Sequence, residues 1–222
     1  MDARASDGFA LVAALLLTLM LSALAAAFAL VTSSEAMIAA NFRNDQEAQY
    51  AAGGVAERAI ADLLAAGDWN AVLNGTLRSS FADGLPSGTR PLADGSTLDL
   101  DQVVNQANCS KSTTCSGAEM DAVTSDRPRG PNNPRWQLFA WGPLRRVLPN
   151  EAVDSPYYTL VLVGDDASET DGDPSRDALS PASGAGVVAL RAQVFGPRSG
   201  RRVIEVVVAR SGSGGVRVLS WR

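Results

Sequence analysis

The sequence predicts an α+β protein in which one long N-terminal helix packs on an antiparallel β-sheet head. Three features lead to this prediction: an uncharged apolar run near the N-terminus, an amphipathic stretch that follows it, and short alternating apolar segments between turn residues farther on. The chain has 222 residues, of which 46% are hydrophobic and 19% are charged, so it can hold one domain and a membrane segment.

The first element is an apolar run from Phe9 to Val31, which follows the polar head MDARASDG and meets no charge until Glu35. Its length suits a hydrocarbon core that is about 30 Å thick and needs roughly 20 helical residues to cross. The head has one Arg and two Asp, so it lacks the positive charge of an ordinary signal peptide. We therefore predict a membrane-spanning helix.

The second element continues this helix, because helix-forming residues run on with no proline before Pro86. Ala56, Ile60, Leu63 and Leu64 recur at helical spacing and predict one apolar stripe. We expect that stripe to pack on the rest of the chain.

The region beyond Ala66 is predicted to be β-rich, since short apolar runs alternate with Gly, Pro, Asn and Ser. Its clearest element is an antiparallel hairpin in VVALRAQVFGPRSGRRVIEVVVAR, where every second residue before and after GPRSG is apolar. Further strands are predicted in RWQLFAWG, YYTLVLVG and VRVLSWR. A sheet of these strands gives a globular head against the amphipathic helix.

A family resemblance is carried by Gly8 before the aromatic Phe9, then FALVAALLLTLMLSALAAAF, then NFRNDQEAQYAAGGVAERAIADLL. This order of parts resembles the class III signal of type IV pilins, and in particular PilX-type minor pilins. The resemblance covers roughly residues 4–66. It implies a type IV pilin-like fold and four segments: a prepilin leader peptide (1–8), a transmembrane and filament-core helix (9–32), its amphipathic continuation (33–66) and an extracytoplasmic head (67–222).

The resemblance also implies a function. A prepilin peptidase would cut between Gly8 and Phe9, and the new terminus would be methylated. The helix would hold the chain in inner-membrane lipid, with the head in the periplasm, and would later join other major and minor pilins in a cell-surface pilus. Small residues in the apolar run, Ala23, Ala25, Ala26, Ala27 and Ala29, allow such close helix packing, although a plain anchor can carry them too.

One departure from major pilins concerns the fifth position of the mature chain, where Ala13 stands in place of Glu. Without that carboxylate the subunit cannot neutralise the terminal amine of a neighbour, so it suits a tip or priming position. We therefore expect a minor pilin that primes or caps a pilus. The alternatives are the tip pseudopilin of type II secretion and a signal-anchored envelope binding protein or enzyme.

Two cysteines, Cys109 and Cys115, are the only ones in the chain. In an exported head they would reach an oxidising compartment, where a disulfide is expected. A zinc site is the weaker alternative because the chain has no His, and the spacing does not match a C-x-x-C redox motif.

An acidic stretch, GDDASETDGDPSRD, offers the candidate ligands for a metal. Crowded carboxylates repel one another, and Ca²⁺, which takes six to eight oxygen ligands, would relieve that repulsion. The EF-hand register fails because Ala167 and Ala178 would occupy its first and last positions. A calcium site and a solvated acidic loop both remain open for the six residues Asp165, Asp166, Glu169, Asp171, Asp173 and Asp177.

A second charged stretch, RPRGPNNPRWQLFAWGPLRR, combines arginines with aromatic rings, as single-stranded nucleic-acid sites do. Trp136, Leu138 and Ala140 alternate like one face of a strand, which favours buried aromatics over nucleic-acid binding. No enzyme is predicted, because the chain lacks His, a G-x-S-x-G or S-x-x-K motif and a dinucleotide-binding fingerprint.

Overall fold

Helix α1 occupies Arg4–Ala65 in the computed structural model. The structure describes residues 4–147, 154–169, 172–177, 184–197, 200–212 and 214–222. The chain divides into two compact units, and the boundary lies inside α1 between Asn44 and Asp45. The predicted order of one N-terminal helix followed by a β-rich region is confirmed.

The first unit contains the apolar part of α1. Large apolar side chains lie exposed along it, including Phe9, Leu15, Met20 and Phe28. Its most apolar stretch is long enough to cross a membrane, and none of that stretch is buried. An exposed apolar helix of this kind is typical of a membrane anchor or a signal sequence, because exposed apolar area in water is unfavourable.

The second unit is built on a five-stranded antiparallel sheet in the order β3-β4-β5-β6-β7. All four strand segments predicted from the sequence are present, and in the predicted hairpin Leu190 lies opposite Val206. The strands are β3 (Gln137–Pro143), β4 (Tyr158–Asp165), β5 (Val187–Phe195), β6 (Arg201–Arg210) and β7 (Val216–Trp221).

Shorter elements lie between α1 and the sheet in the sequence. They are α2 (Trp69–Leu73), a two-stranded antiparallel pair of β1 (Thr89–Pro91) and β2 (Thr97–Asp99), α3 (Leu100–Cys109), α4 (Gly117–Met120) and a 3-10 turn at Gly130–Asn132. A second 3-10 turn, Leu144–Arg146, lies between β3 and β4. Local patterns in the sequence do not predict α2, α3 or the β1-β2 pair.

The last part of α1 packs on the first face of the sheet. Its buried residues recur at helical spacing and are mostly alanines, which lets the backbone approach the strands closely: Ala48, Ala51, Ala52, Val55, Ala56, Ala59 and Leu63. The predicted apolar stripe, which includes Leu63 and Leu64, is only partly correct. Leu63 is fully buried, but Leu64 is 51% exposed because the stripe is centred on Val55 and Ala59.

The second face of the sheet is also covered, which differs from the predicted arrangement of a sheet packed only on α1. Leu100 and Ala107 of α3, with Leu98 of β2, form a second buried cluster with apolar residues of β3 and β4. As a result every residue of β4 is buried. The head thus has helices on both faces of an antiparallel sheet.

A β-bulge changes the predicted face of β3. The register shifts between Leu138 and Ala140, so Leu138 belongs to the second cluster and Ala140 to the α1 cluster. The expected alternation of Trp136, Leu138 and Ala140 on one face is therefore wrong at Ala140. The prediction that the aromatics are core is confirmed, since Trp136, Phe139 and Trp141 are buried.

Candidate functional site

The predicted processing site lies in the first unit. Gly8 and Phe9 are both part of α1, and the Phe9 side chain is 77% exposed. Apart from its chain neighbours and the adjacent turns of the helix backbone, no described heavy atom lies within 4 Å of the position that a Cβ of Gly8 would occupy. Both residues are therefore accessible, and cleavage between them stays a prediction.

The two cysteines form a disulfide at the end of α3. The Cα atoms of Cys109 and Cys115 are 6.2 Å apart, within the range of ordinary disulfides. The loop starts at Ser110, which adopts a left-handed conformation and ends the helix. Asn108, next to the disulfide, exchanges two hydrogen bonds with the Trp136 backbone, at 2.9 and 2.8 Å, so the end of α3 is held against the residue that precedes β3.

We expect the disulfide to stabilise the head. Reduction, or replacement of both cysteines with Ser, should lower the free energy of unfolding by about 2 kcal/mol. The reason is that the disulfide closes a short loop in the unfolded chain and so lowers the entropy of that chain. Chemical unfolding with and without a reductant measures this difference.

Peptide mapping without a reductant should join Cys109 to Cys115 in exported protein, and two free thiols would contradict an oxidised head.

The acidic loop connects β4 to β5, and the structure brings three of its six candidate ligands together. Ligand oxygens of Asp165, Glu169 and Asp177 all lie within 4.8 Å of one another. Asp165 and Glu169 are buried, and Asp177 is partly buried. A side chain at Gly184 would collide with Glu169, so the glycine permits this close approach.

Hydrogen bonds fix the position of Asp177. Its backbone N–H donates to Asn70 Oδ1 at 2.8 Å, and its Oδ1 accepts the Gly186 N–H at 2.5 Å. Burial raises the pKa of Asp177, while the Gly186 N–H and the charge of Arg210 act in the opposite direction. The charged carboxylate is thus disfavoured here, and a cation would favour it.

The other candidates do not join this group in the described residues. Asp166 accepts hydrogen bonds from the Ser168 side chain and backbone, and Asp173 accepts them from Ser175. These are local turn contacts of aspartate side chains. Asp171 lies outside the described residues. Among the described residues the structure thus brings three of the six candidate carboxylates together, and calcium binding stays a prediction.

Calcium should stabilise the head if these carboxylates bind it. For Kd values on the order of 10⁻⁴ to 10⁻³ M, as in extracellular modules, about 10 mM calcium should raise the melting temperature by a few degrees.

Glu169→Gln should remove the calcium-dependent rise in melting temperature. Asp166→Asn is the matched control and should keep that rise. Differential scanning fluorimetry checks both. An equal shift with sodium chloride of the same ionic strength would indicate a solvated acidic loop.

Three arginines of the arginine-rich stretch make contacts with other residues of the head. Arg135 pairs with Asp121, and Arg146 pairs with Asp83 at 2.8 Å. Arg127 is 9% exposed and donates to the backbone carbonyls of Glu119 and Met120 at the end of α4. Since the rings of Phe139 and Trp141 are buried in the core, they are not placed to stack on bases.

Comparison of the chain with protein-family models, with curated proteins and with solved structures finds no match. Its function must therefore be inferred from its own residues and their arrangement.

Proposed function

We propose that the chain is a minor pilin, a structural subunit that primes or caps a type IV pilus. The observation that carries this proposal is the division of α1 along its length. Its N-terminal part has an exposed apolar surface, and its C-terminal part is buried against an antiparallel sheet. One helix thus serves as a membrane or filament segment and as the central support of a globular head.

The exposed apolar surface of α1 requires a covering. Leaving it in water would be strongly unfavourable, since each buried large apolar side chain gains about 1.5 to 3 kcal/mol. Inner-membrane lipid covers it before assembly, and the helices of other pilins cover it in the filament. The alanines at 23, 25, 26, 27 and 29 permit the close helix contacts of the filament core.

The cut between Gly8 and Phe9 creates the mature subunit. It removes the charged head MDARASDG and leaves an apolar N-terminus that can enter the filament core. The prepilin peptidase is the partner for this step. Ala13, in place of the usual Glu, favours a tip or priming position, where no neighbouring terminal amine must be neutralised.

The head lies outside the cytoplasm in this proposal. The Cys109–Cys115 disulfide supports that location, because disulfides persist in oxidising compartments.

Filament incorporation tests the proposal. Filaments sheared from cells should contain peptides of this chain at a low ratio to the major subunit, and deletion of the chain should reduce the number of filaments. A chain that stays in the membrane fraction, with filaments unaffected by its deletion, would favour an anchored binding protein instead. Loss of secretion without loss of pili would favour a tip pseudopilin.

A further inference from the structure

A cavity of about 510 Å³ lies in the head, on the sheet face opposite α1. Strands β5 and β6 form its floor, and α3 and the loop before β3 form its walls. Its volume is in the range of small-molecule sites, roughly 300 to 1,000 Å³. Ala167 of the acidic loop also lines the cavity, whereas the carboxylates Asp165, Glu169 and Asp177 do not. The apolar part of α1, which carries the proposed pilin function, does not line it either.

Positive charge dominates the lining of this cavity, although the chain as a whole has a formal net charge of −5. Four arginines line it, against two carboxylates, Asp126 and Glu205. The arginines come from distant parts of the sequence and meet only in the fold: Arg127, Arg129, Arg191 and Arg201.

Arg191 and Arg201 stand on the floor of the cavity. Arg191 forms a 3.4 Å ion pair with Glu205 and lies over the Trp136 ring at 5.8 Å. Arg201 donates to Gln193 Oε1 at 2.6 Å and lies over the Phe195 ring at 5.6 Å. These contacts hold the two guanidinium planes in place. Each engages only part of the five N–H donors that a guanidinium carries.

The wall of the cavity adds Arg127 and Arg129. Arg127 is buried, and its two terminal nitrogens donate to backbone carbonyls. Its Nε has no hydrogen-bond acceptor among the described residues. Arg129 is exposed, and its backbone N–H donates to Asn133. The Arg129 guanidinium can therefore reach a ligand without loss of a structural contact.

The electrostatics of these arginines are unfavourable without an anion. Burial lowers the pKa of Arg127, and the nearby charge of Arg135 lowers it further. Burial likewise lowers the pKa of Arg201, with a contribution from Arg191. A bound anion would offset both the lost hydration and the mutual repulsion.

We propose that this cavity binds a small organic oxyanion, namely a phosphate monoester, a sulfate monoester or a carboxylate on an apolar body. Its charged end contacts Arg191, Arg201 and Arg129, since planar guanidinium groups form paired hydrogen bonds with such oxyanions. Its apolar body lies against Val103, Ala107 and Trp136, which line the same cavity.

Titration calorimetry on the full chain in a nonionic detergent tests this proposal. The probes are phenyl phosphate, phenyl sulfate and benzoate, with phenol as the uncharged control and sodium chloride at matched ionic strength. At least one aryl anion should bind saturably, at about one per chain, and phenol should not. If none of the three anions binds, the proposal is wrong. Binding of a single-stranded oligonucleotide without binding of any aryl anion would also overturn it.

Variants locate the site. Arg129→Gln and Arg191→Gln should each weaken anion binding about tenfold, as expected for loss of one charge-assisted contact. Arg145→Gln is the matched control, because Arg145 is exposed and does not line the cavity, and its affinity should equal that of the natural chain. An equal loss in Arg145→Gln, or no loss in Arg129→Gln, would place the binding elsewhere. Melting curves without ligand verify that the variants fold.

Discussion

Replacing Leu63 with Ala is expected to lower the free energy of unfolding by about 2 to 5 kcal/mol, because the change leaves a cavity in a closely packed core. Leu63 is completely buried where α1 meets the sheet. Its backbone carbonyl also accepts a 3.1 Å hydrogen bond from the Trp69 indole. The substitution keeps this backbone hydrogen bond and removes side-chain packing between α1 and the sheet.

The neighbouring residue gives a matched control for this prediction. Leu64 is 51% exposed, so Leu64→Ala should change the free energy of unfolding by less than about 1 kcal/mol. Urea unfolding of the full chain in detergent, followed by tryptophan fluorescence, measures both variants. If Leu64→Ala is as destabilising as Leu63→Ala, the helix presents a different face to the sheet.

Gly8→Ala is expected to leave the precursor uncut, which is the largest functional effect that the proposal predicts. The reason is that the resemblance places Gly8 directly before the cleaved bond, where the peptidase accepts a residue without a side chain. The measurement is the mass of the chain recovered from membranes, which should retain residues 1–8 in the variant.

A second glycine of α1 controls for effects on the helix. Gly54 is exposed, and a Cβ there would meet no heavy atom within 4 Å. Gly54→Ala should be processed normally and should stabilise the helix by up to about 1 kcal/mol. Normal processing of Gly8→Ala, or failure of both variants, would contradict the assigned cleavage site.

Local patterns in the sequence were sufficient to predict α1 and the strands of the main sheet. The alternation of Val188, Leu190, Ala192 and Val194 describes a strand with one buried face, and that face meets α1 as predicted. The helix pattern was less decisive, because alanines carry most of the buried stripe. Ala52 and Ala59 are fully buried but give a weak apolar signal, whereas the more hydrophobic Leu64 fits the apolar pattern although it is half exposed.

Features that depend on contacts distant in sequence were not predictable. The second buried cluster joins Leu100 to Trp141, and nothing in either local pattern indicates that α3 covers the sheet. The same holds for the sites. Six acidic residues were candidates, but only the loop conformation brings Asp165, Glu169 and Asp177 together. Part of the arginine cavity lies in the arginine-rich stretch, which contains Arg127 and Arg129, but Arg191 and Arg201 resemble ordinary solvated strand charges. Only the fold shows that these four arginines line one cavity.

The N-terminus of the mature chain tests the central claim most directly. Mass spectrometry of the N-terminal peptide from purified membranes should find a chain that begins at Phe9 and carries a methyl group on its terminal amine. That result would support a processed pilin whose apolar helix enters a filament. A chain that retains Met1, or one cut after Ala25, Ala26 or Ala27, would contradict the pilin proposal and indicate an uncleaved anchor or an ordinary signal peptide.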